Sequence, residues 1–212
     1  AGRVIMDWQG NQVGKGEHGR GSWGMLPLGI SESSLSAVSD LDLDGFEEVI
    51  VGNAAYNMDG TAIWHDPGQA DGMIAIANLD SDPQGEFIVS SYNTIRAVDT
   101  YGNVLWGPIE IEGANIVSPA AIADIDQDGM PEIVVAGGNK IMAFNHDGTE
   151  LWTEAATDES GATGAAIFDF EGDGWLDVVY IDEIEMIAYE GATGATKFYS
   201  TEHASPTMMD YP

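Results

Sequence analysis

The chain has 212 residues, 36 of them acidic and 6 basic, giving a formal net charge of -30 and a pI near 4.1. That imbalance excludes nucleic acid as a ligand, since phosphate binding needs clustered Lys and Arg, and it argues against an anionic membrane surface. With 44% hydrophobic residues the chain is expected to fold around a core, and with no cysteine it has neither disulfides nor thiolate metal sites.

In chain order, the first recognisable element is Asp7-Trp8-Gln9-Gly10-Asn11-Gln12-Val13. It matches Asn145 to Leu151 further on, so the chain opens in the second half of a repeating unit. A Gly-rich stretch from Gly10 to Leu28 carries Lys15, His18, Arg20 and Trp23 and reads as a long loop outside the repeat. The first full unit is marked by Asp40-Leu41-Asp42-Leu43-Asp44-Gly45-Phe46-Glu47-Glu48 running into Val49-Ile50-Val51. A degenerate second copy starts at Asn78, with Asp80, Asp82, Pro83, Gln84 and Glu86. A third spans Asp124 to Glu132 and a fourth Asp169 to Asp177, and another start appears at Asp210. The spacings of 38, 46, 45 and 41 residues are those of four-stranded propeller blades.

Within a unit, small residues such as Ala120 to Ala123 suit an inner strand, and the acidic loop then leads to an apolar strand such as Ile133 to Val135. A strand like Ile141 to Phe144 follows, then an Asp-Gly or Gly-Asn turn and a strand bearing Trp64, Trp106 or Trp152. These tryptophans recur at one repeat position, which predicts blade-to-blade packing. No long 3.6-residue period occurs, so little helix is expected, and no apolar run approaches the roughly 18 residues of a membrane span. The expected fold is an all-β propeller. It comprises a half blade at 1–30, blades at about 31–70, 71–114, 115–159 and 160–203, and a half blade at 204–212. Neither half contains the apolar second strand. The ends are therefore expected to belong to a larger ring, completed by further blades or subunits, rather than to close a five-bladed one.

The acidic loops carry the chemistry. In Asp-x-Asp-x-Asp-Gly-x-x-Asp/Glu, side chains at positions 1, 3, 5 and 9 and the carbonyl at position 7 can converge on one cation, with Gly at position 6 permitting the turn. Hard oxygen ligands in such number suit Ca2+ better than Mg2+, and without Cys or paired His they disfavour zinc. Position 12 is Val51, Val135 or Tyr180 inside a strand, so the loops are not EF-hands. The expected ligands are Asp40, Asp42, Asp44, Phe46 and Glu48; Asp124, Asp126, Asp128, Met130 and Glu132; and Asp169, Glu171, Asp173, Trp175 and Asp177. A fourth set is Asn78, Asp80, Asp82, Gln84 and Glu86, in a loop that lacks the position-6 glycine.

These loops and the runs that follow them, Val49 to Gly52 and Ile133 to Gly138, resemble FG-GAP/VCBS repeats, as in integrin α-subunit propellers and many bacterial secreted proteins. The resemblance covers nearly the whole chain, although its Phe-Gly and Gly-Ala-Pro elements are poorly kept. It implies calcium at the loops beginning at Asp40, Asp124 and Asp169, with Glu replacing Asp at 48, 132 and 171. It also implies a propeller of commonly seven blades.

No catalytic constellation stands out. His18, His65, His146 and His203 fall at unrelated repeat positions, and Ser33-Ser34 and Ser90-Ser91 lack a nucleophile-elbow context. The expected function is a non-catalytic, calcium-stabilised module for recognition or adhesion outside the cell or at its surface, with the periplasm as an alternative. Its ligand would be a protein or glycan on one propeller face. The competing readings are a lectin or the scaffold of a polysaccharide-active enzyme, and a structural subunit of a surface assembly or filament.

Overall fold

The computed structural model describes residues 4–16, 36–158, 161 and 163–202. The positions of Arg3, His18, Arg20, Trp23, Ser33, Ser34 and His203, and the expected half blade at 204–212, lie outside the described residues.

Four antiparallel sheets, each a four-stranded meander, account for most of the described chain. Blade 1 is β3 (Ala37–Ser39), β4 (Glu48–Ile50), β5 (Ala54–Tyr56) and β6 (Ala62–His65). Blade 2 is β7 (Met73–Ala77), β8 (Glu86–Ser91), β9 (Thr94–Val98) and β10 (Val104–Glu110). Blade 3 is β11 (Ala121–Ala123), β12 (Glu132–Ala136), β13 (Lys140–Phe144) and β14 (Glu150–Ala155). Blade 4 is β15 (Ala166–Phe168), β16 (Asp177–Ile181), β17 (Met186–Glu190) and β18 (Thr196–Ser200). A two-stranded hairpin, β1 (Val4–Met6) and β2 (Gln12–Lys15), precedes them. Among the described residues there is no helix, and so none long and apolar enough to cross a membrane.

The arrangement is radial. The strands that approach one another between blades are the first ones, β3 with β7, β7 with β11 and β11 with β15. Small side chains let those first strands crowd together, as the Ala-rich runs predict. The second strands are buried on both faces, which is why they read as unbroken apolar runs. Successive side chains alternate between the two faces. Ile133 and Val135 pack toward Ile88, Ile95 and Ala97 of blade 2, while Val134 and Ala136 pack toward Val178 and Tyr180 of blade 4. The core is thus a series of seams between blades.

Each seam carries one repeated latch. The indole N–H of Trp64 donates to Thr100 O (3.0 Å), that of Trp106 to His146 O (2.8 Å) and that of Trp152 to Gly191 O (2.6 Å). Each ring lies under a turn glycine of the following blade, Gly102, Gly148 or Gly194, with φ of +89°, +83° and +72°. A Cβ on Gly148 would stand 2.7 Å from the Trp106 ring. The recurring tryptophans are therefore blade-to-blade contacts. Among the described residues two seats of this kind are open: nothing lies within 4 Å of a Cβ on Gly10, and Phe198, at the tryptophan position of blade 4, is 53% exposed.

A cation missed by the sequence reading ties blade 2 to blade 1. Arg96, on β9, is 1% exposed and donates from Nη2 to Gly52 O (2.8 Å) and Ala70 O (2.6 Å). Burial lowers its pKa to about 10, against the opposing pull of Asp71 and Asp66, so it stays charged at neutral pH.

Candidate metal centre

The acidic loops join the first and second strands of each blade. In the loop from Asp40 to Glu48, Asp40, Asp42 and Glu48 offer carboxylate oxygens within 4.8 Å of one another, and Asp124, Asp126 and Glu132 do the same in the third loop. Both loops share a backbone with left-handed residues at positions 4 and 6. Leu43 and Gln127 have φ of 64° and 63°, and Gly45 and Gly129 have 93° and 94°. That path turns the loop back on itself, so position-1 carboxylates cap it from inside: Gly45 N–H donates to Asp40 Oδ2 and Gly129 N–H to Asp124 Oδ2, each at 3.1 Å.

Position 9 supplies the buried wall of the site. Glu48, Glu86 and Glu132 are 4%, 2% and 0% exposed. One oxygen of each is fixed by a backbone N–H at position 2: Leu41 to Glu48 Oε2 (2.8 Å), Leu79 to Glu86 Oε2 (2.7 Å) and Ile125 to Glu132 Oε2 (2.8 Å). In the third loop the other oxygen, Glu132 Oε1, is buried with no hydrogen-bond partner, and so is Asp124 Oδ1. A buried carboxylate oxygen without a donor is costly unless a cation meets it. Burial accordingly raises the pKa of all three glutamates, and the neighbouring aspartates add to the rise; Glu132 is pushed up to about 7. Three acidic clusters can therefore hold a metal ion.

The position-5 residues stand apart from two of these clusters. Asp44 Oδ1 accepts from Phe46 N–H (2.8 Å) and Asp128 Oδ1 from Met130 N–H (2.8 Å). These bonds hold the position-7 residues in place.

The second cluster is Asp80, Asp82 and Glu86. Its loop lacks the left-handed residues, yet its carboxylates converge, with Asp82 at position 5 taking the place that position 1 has elsewhere. Asn78 turns its amide nitrogen to Asp82 O while its Oδ1 accepts from Asp80 N–H (3.3 Å). Gln84 N–H donates to Asp82 Oδ1 (2.9 Å).

The fourth loop behaves in the opposite way. Its backbone repeats the pattern, with Gly172 at φ 71° and Gly174 at 90°, and Trp175 N–H donates to Asp173 Oδ1 (2.9 Å) as expected. Yet Asp169, Glu171, Asp173 and Asp177 form no such cluster among the described residues. Lys197 Nζ sits between two of them, 2.8 Å from Asp177 Oδ1 and 2.7 Å from Glu171 Oε2. Burial pushes the Asp177 carboxyl up, but hydrogen bonds from Lys197 and Phe170 N–H and its contact with Glu171 outweigh it, and the net shift is downward.

Residues 124–180, from the third loop into β16, match the family model of the FG-GAP-like repeat. That segment is an FG-GAP-type repeat. No curated protein sequence matches it. Among solved structures it is similar to the V. cholerae biofilm matrix protein Bap1, at 13% identity and a TM-score of 0.68, over 97% of this chain and 61% of that one. The Bacillus licheniformis rhamnogalacturonan lyase PL11 matches at 17% identity and a TM-score of 0.62, over 90% of this chain and 46% of that one. A europium-containing methanol dehydrogenase matches at 12% identity and a TM-score of 0.58, over 91% and 45%. At such identities the likeness shows the fold alone, an all-β array of propeller blades. The chain spans 61% or less of the length of each of these.

Among the described residues no histidine belongs to the three acidic clusters. His146 lends its backbone carbonyl to Trp106, and His65 ends β6.

Proposed function

We propose that this chain is a calcium-binding propeller module for recognition or adhesion outside the cell, without catalysis of its own. The observation that carries the metal part is the pair of partnerless buried oxygens, Glu132 Oε1 and Asp124 Oδ1, in a cluster of three converging carboxylates. An all-oxygen donor set of this kind suits Ca2+, which accepts six to eight ligands in irregular geometry. Asp40, Asp42 and Glu48, then Asp80, Asp82 and Glu86, then Asp124, Asp126 and Glu132 would hold one ion each. The position-7 carbonyls of Phe46, Gln84 and Met130 would add a ligand to each site. Calcium bound there would brace the turn between first and second strands in each blade. Free calcium is abundant outside cells, which supports an extracellular or cell-surface setting, or a periplasmic one.

The recognition part rests on the fold and on its company. Propeller faces are rich in loops, and the similar structures include a biofilm matrix protein and a rhamnogalacturonan lyase by name. The ligand is then a protein or a glycan on one face, and a glycan array separates the two. The exposed Phe198 seat continues a junction built three times within the chain, so its occupant is a further blade of the same repeat.

The metal reading is tested by thermal unfolding in calcium and in EDTA, with ions counted by native mass spectrometry. Calcium should raise the melting temperature by linkage. The double substitution Asp126→Ala with Asp128→Ala should remove about one ion. An unchanged melting temperature and no bound ions would refute it.

A further inference from the structure

Resting on the calcium reading of the other loops, we propose that the fourth loop carries its own cation, the ammonium of Lys197, where the others present carboxylates to a metal, and that it takes up no calcium. The register explains why this blade alone has it. The last strand of every blade carries a bulge just before its aromatic residue. Trp64 pairs with Ala55, Trp106 with Ala97, Trp152 with Ala143 and Phe198 with Ala188, and the register slips beside each. The bulged residue is Ile63, Leu105, Leu151 and, in blade 4, Lys197. A bulge re-aims its side chain. In blade 4 the re-aimed side chain ends in a charge, and it reaches Asp177 on β16 and Glu171 in the loop.

The ligand atoms have been reassigned accordingly. Asp177 Oδ1 and Glu171 Oε2 face the ammonium. Both oxygens of Asp169 are occupied from within the loop. Oδ1 accepts from Gly172 N–H (2.7 Å) and Asp173 N–H (3.2 Å), and Oδ2 from Gly174 N–H (2.8 Å). In the third loop the corresponding Asp124 Oδ1 has no partner, but in the first Asp40 is held as Asp169 is, with Asp44 N–H on Oδ1 and Gly45 N–H on Oδ2, so it is the lysine on Asp177 and Glu171 that sets the fourth loop apart. The backbone is not the cause, because positions 4 and 6 keep the left-handed conformation. A divalent ion entering here would have to displace an ammonium bonded to two carboxylates, one of them 2% exposed. A tethered cation also cannot be chelated, so the blade 4 turn is braced whatever the calcium concentration.

The test is hydrogen exchange read loop by loop, on the wild-type chain and on Lys197→Met, in calcium and in EDTA. In the wild type, calcium should slow exchange over 40–48 and 124–132 by roughly tenfold or more and leave 169–177 unchanged. Native mass spectrometry should count three ions. In Lys197→Met the 169–177 segment should exchange faster in EDTA and recover in calcium, with a fourth ion bound. A wild-type 169–177 segment that responds to calcium as the first and third loops do, or a fourth ion in the wild type, overturns the proposal. If no wild-type loop responds, the calcium reading fails separately. Exchange over 169–177 in EDTA then decides the role of Lys197: faster in Lys197→Met supports it, and unchanged exchange overturns it.

Discussion

Gly148→Ala tests whether the tryptophan latch holds the blades together. Gly148 has φ +83°, and a Cβ there would lie 2.7 to 3.0 Å from three atoms of the Trp106 ring. The left-handed conformation costs an alanine about 1–2 kcal/mol. The ring must also move, which adds about 1–3 kcal/mol of overpacking, and its 2.8 Å hydrogen bond to His146 O is worth about 1 kcal/mol. The total is about 3–6 kcal/mol. Gly113→Ala is the control, because Gly113 has φ +84° but its nearest neighbour would be Gly138 Cα at an ordinary 3.6 Å. It should lose about 1–2 kcal/mol, from the backbone alone. Urea denaturation followed by tryptophan fluorescence measures both. In a Trp106→Ala background the extra cost of Gly148→Ala should largely vanish, since the two residues act through one contact. Equal losses for Gly148→Ala and Gly113→Ala, or additivity with Trp106→Ala, would refute the latch.

Glu132→Gln should change sign with calcium. In EDTA the amide keeps an acceptor for Ile125 N–H and removes a buried charge, so the melting temperature should hold or rise. In calcium it should fall below wild type, because one ion is lost. A fall of equal size in both conditions would argue against a metal at Glu132. Arg96→Met should destabilise by about 3 kcal/mol in urea denaturation, since Gly52 O and Ala70 O lose their donor and Asp71 its nearby charge; a loss under about 0.5 kcal/mol, as for an ordinary surface site, would show that the clamp is dispensable. Trp152→Ala and Phe198→Ala alter the same repeat position. The first residue is 7% exposed and the second 53%, so urea denaturation should show losses of about 3–5 and about 1 kcal/mol or less. Equal losses would mean that Phe198 is already covered.

The repeat and its strands were legible because blade geometry leaves a period in the chain. Each acidic loop precedes a run such as Ile133 to Ala136, whose two buried faces force apolar residues at every position. The tryptophan seams were legible for the same reason, since one contact made three times places one residue type at one offset. Arg96 left no such trace. Its position is Met142 in blade 3, and a lone basic residue within an apolar strand gives no hint that two carbonyls of another blade await it. The fourth loop was read from its aspartates and glycines, which are all in place. What decides its chemistry is Lys197, 20 residues past Asp177 and visible only once a bulge aims it back.

The four loops separate two requirements that a motif merges. The glycine-bearing backbone shapes the turn, while the carboxylates must also point inward and stay free. The loop at Asn78 lacks the first, with Pro83 where glycine is expected, yet Asp80, Asp82 and Glu86 converge. The loop at Asp169 has the first and not the second. Position 9 is where they diverge. A glutamate there reaches back to the position-2 N–H with one oxygen at 2.7 or 2.8 Å and, in the third loop, leaves the other buried and without a partner. Asp177, one methylene shorter, makes that bond at 3.3 Å and gives its other oxygen to Lys197. In a chain with 36 acidic residues and 6 basic ones, the placement of a single lysine thus settles which turn can do without a metal.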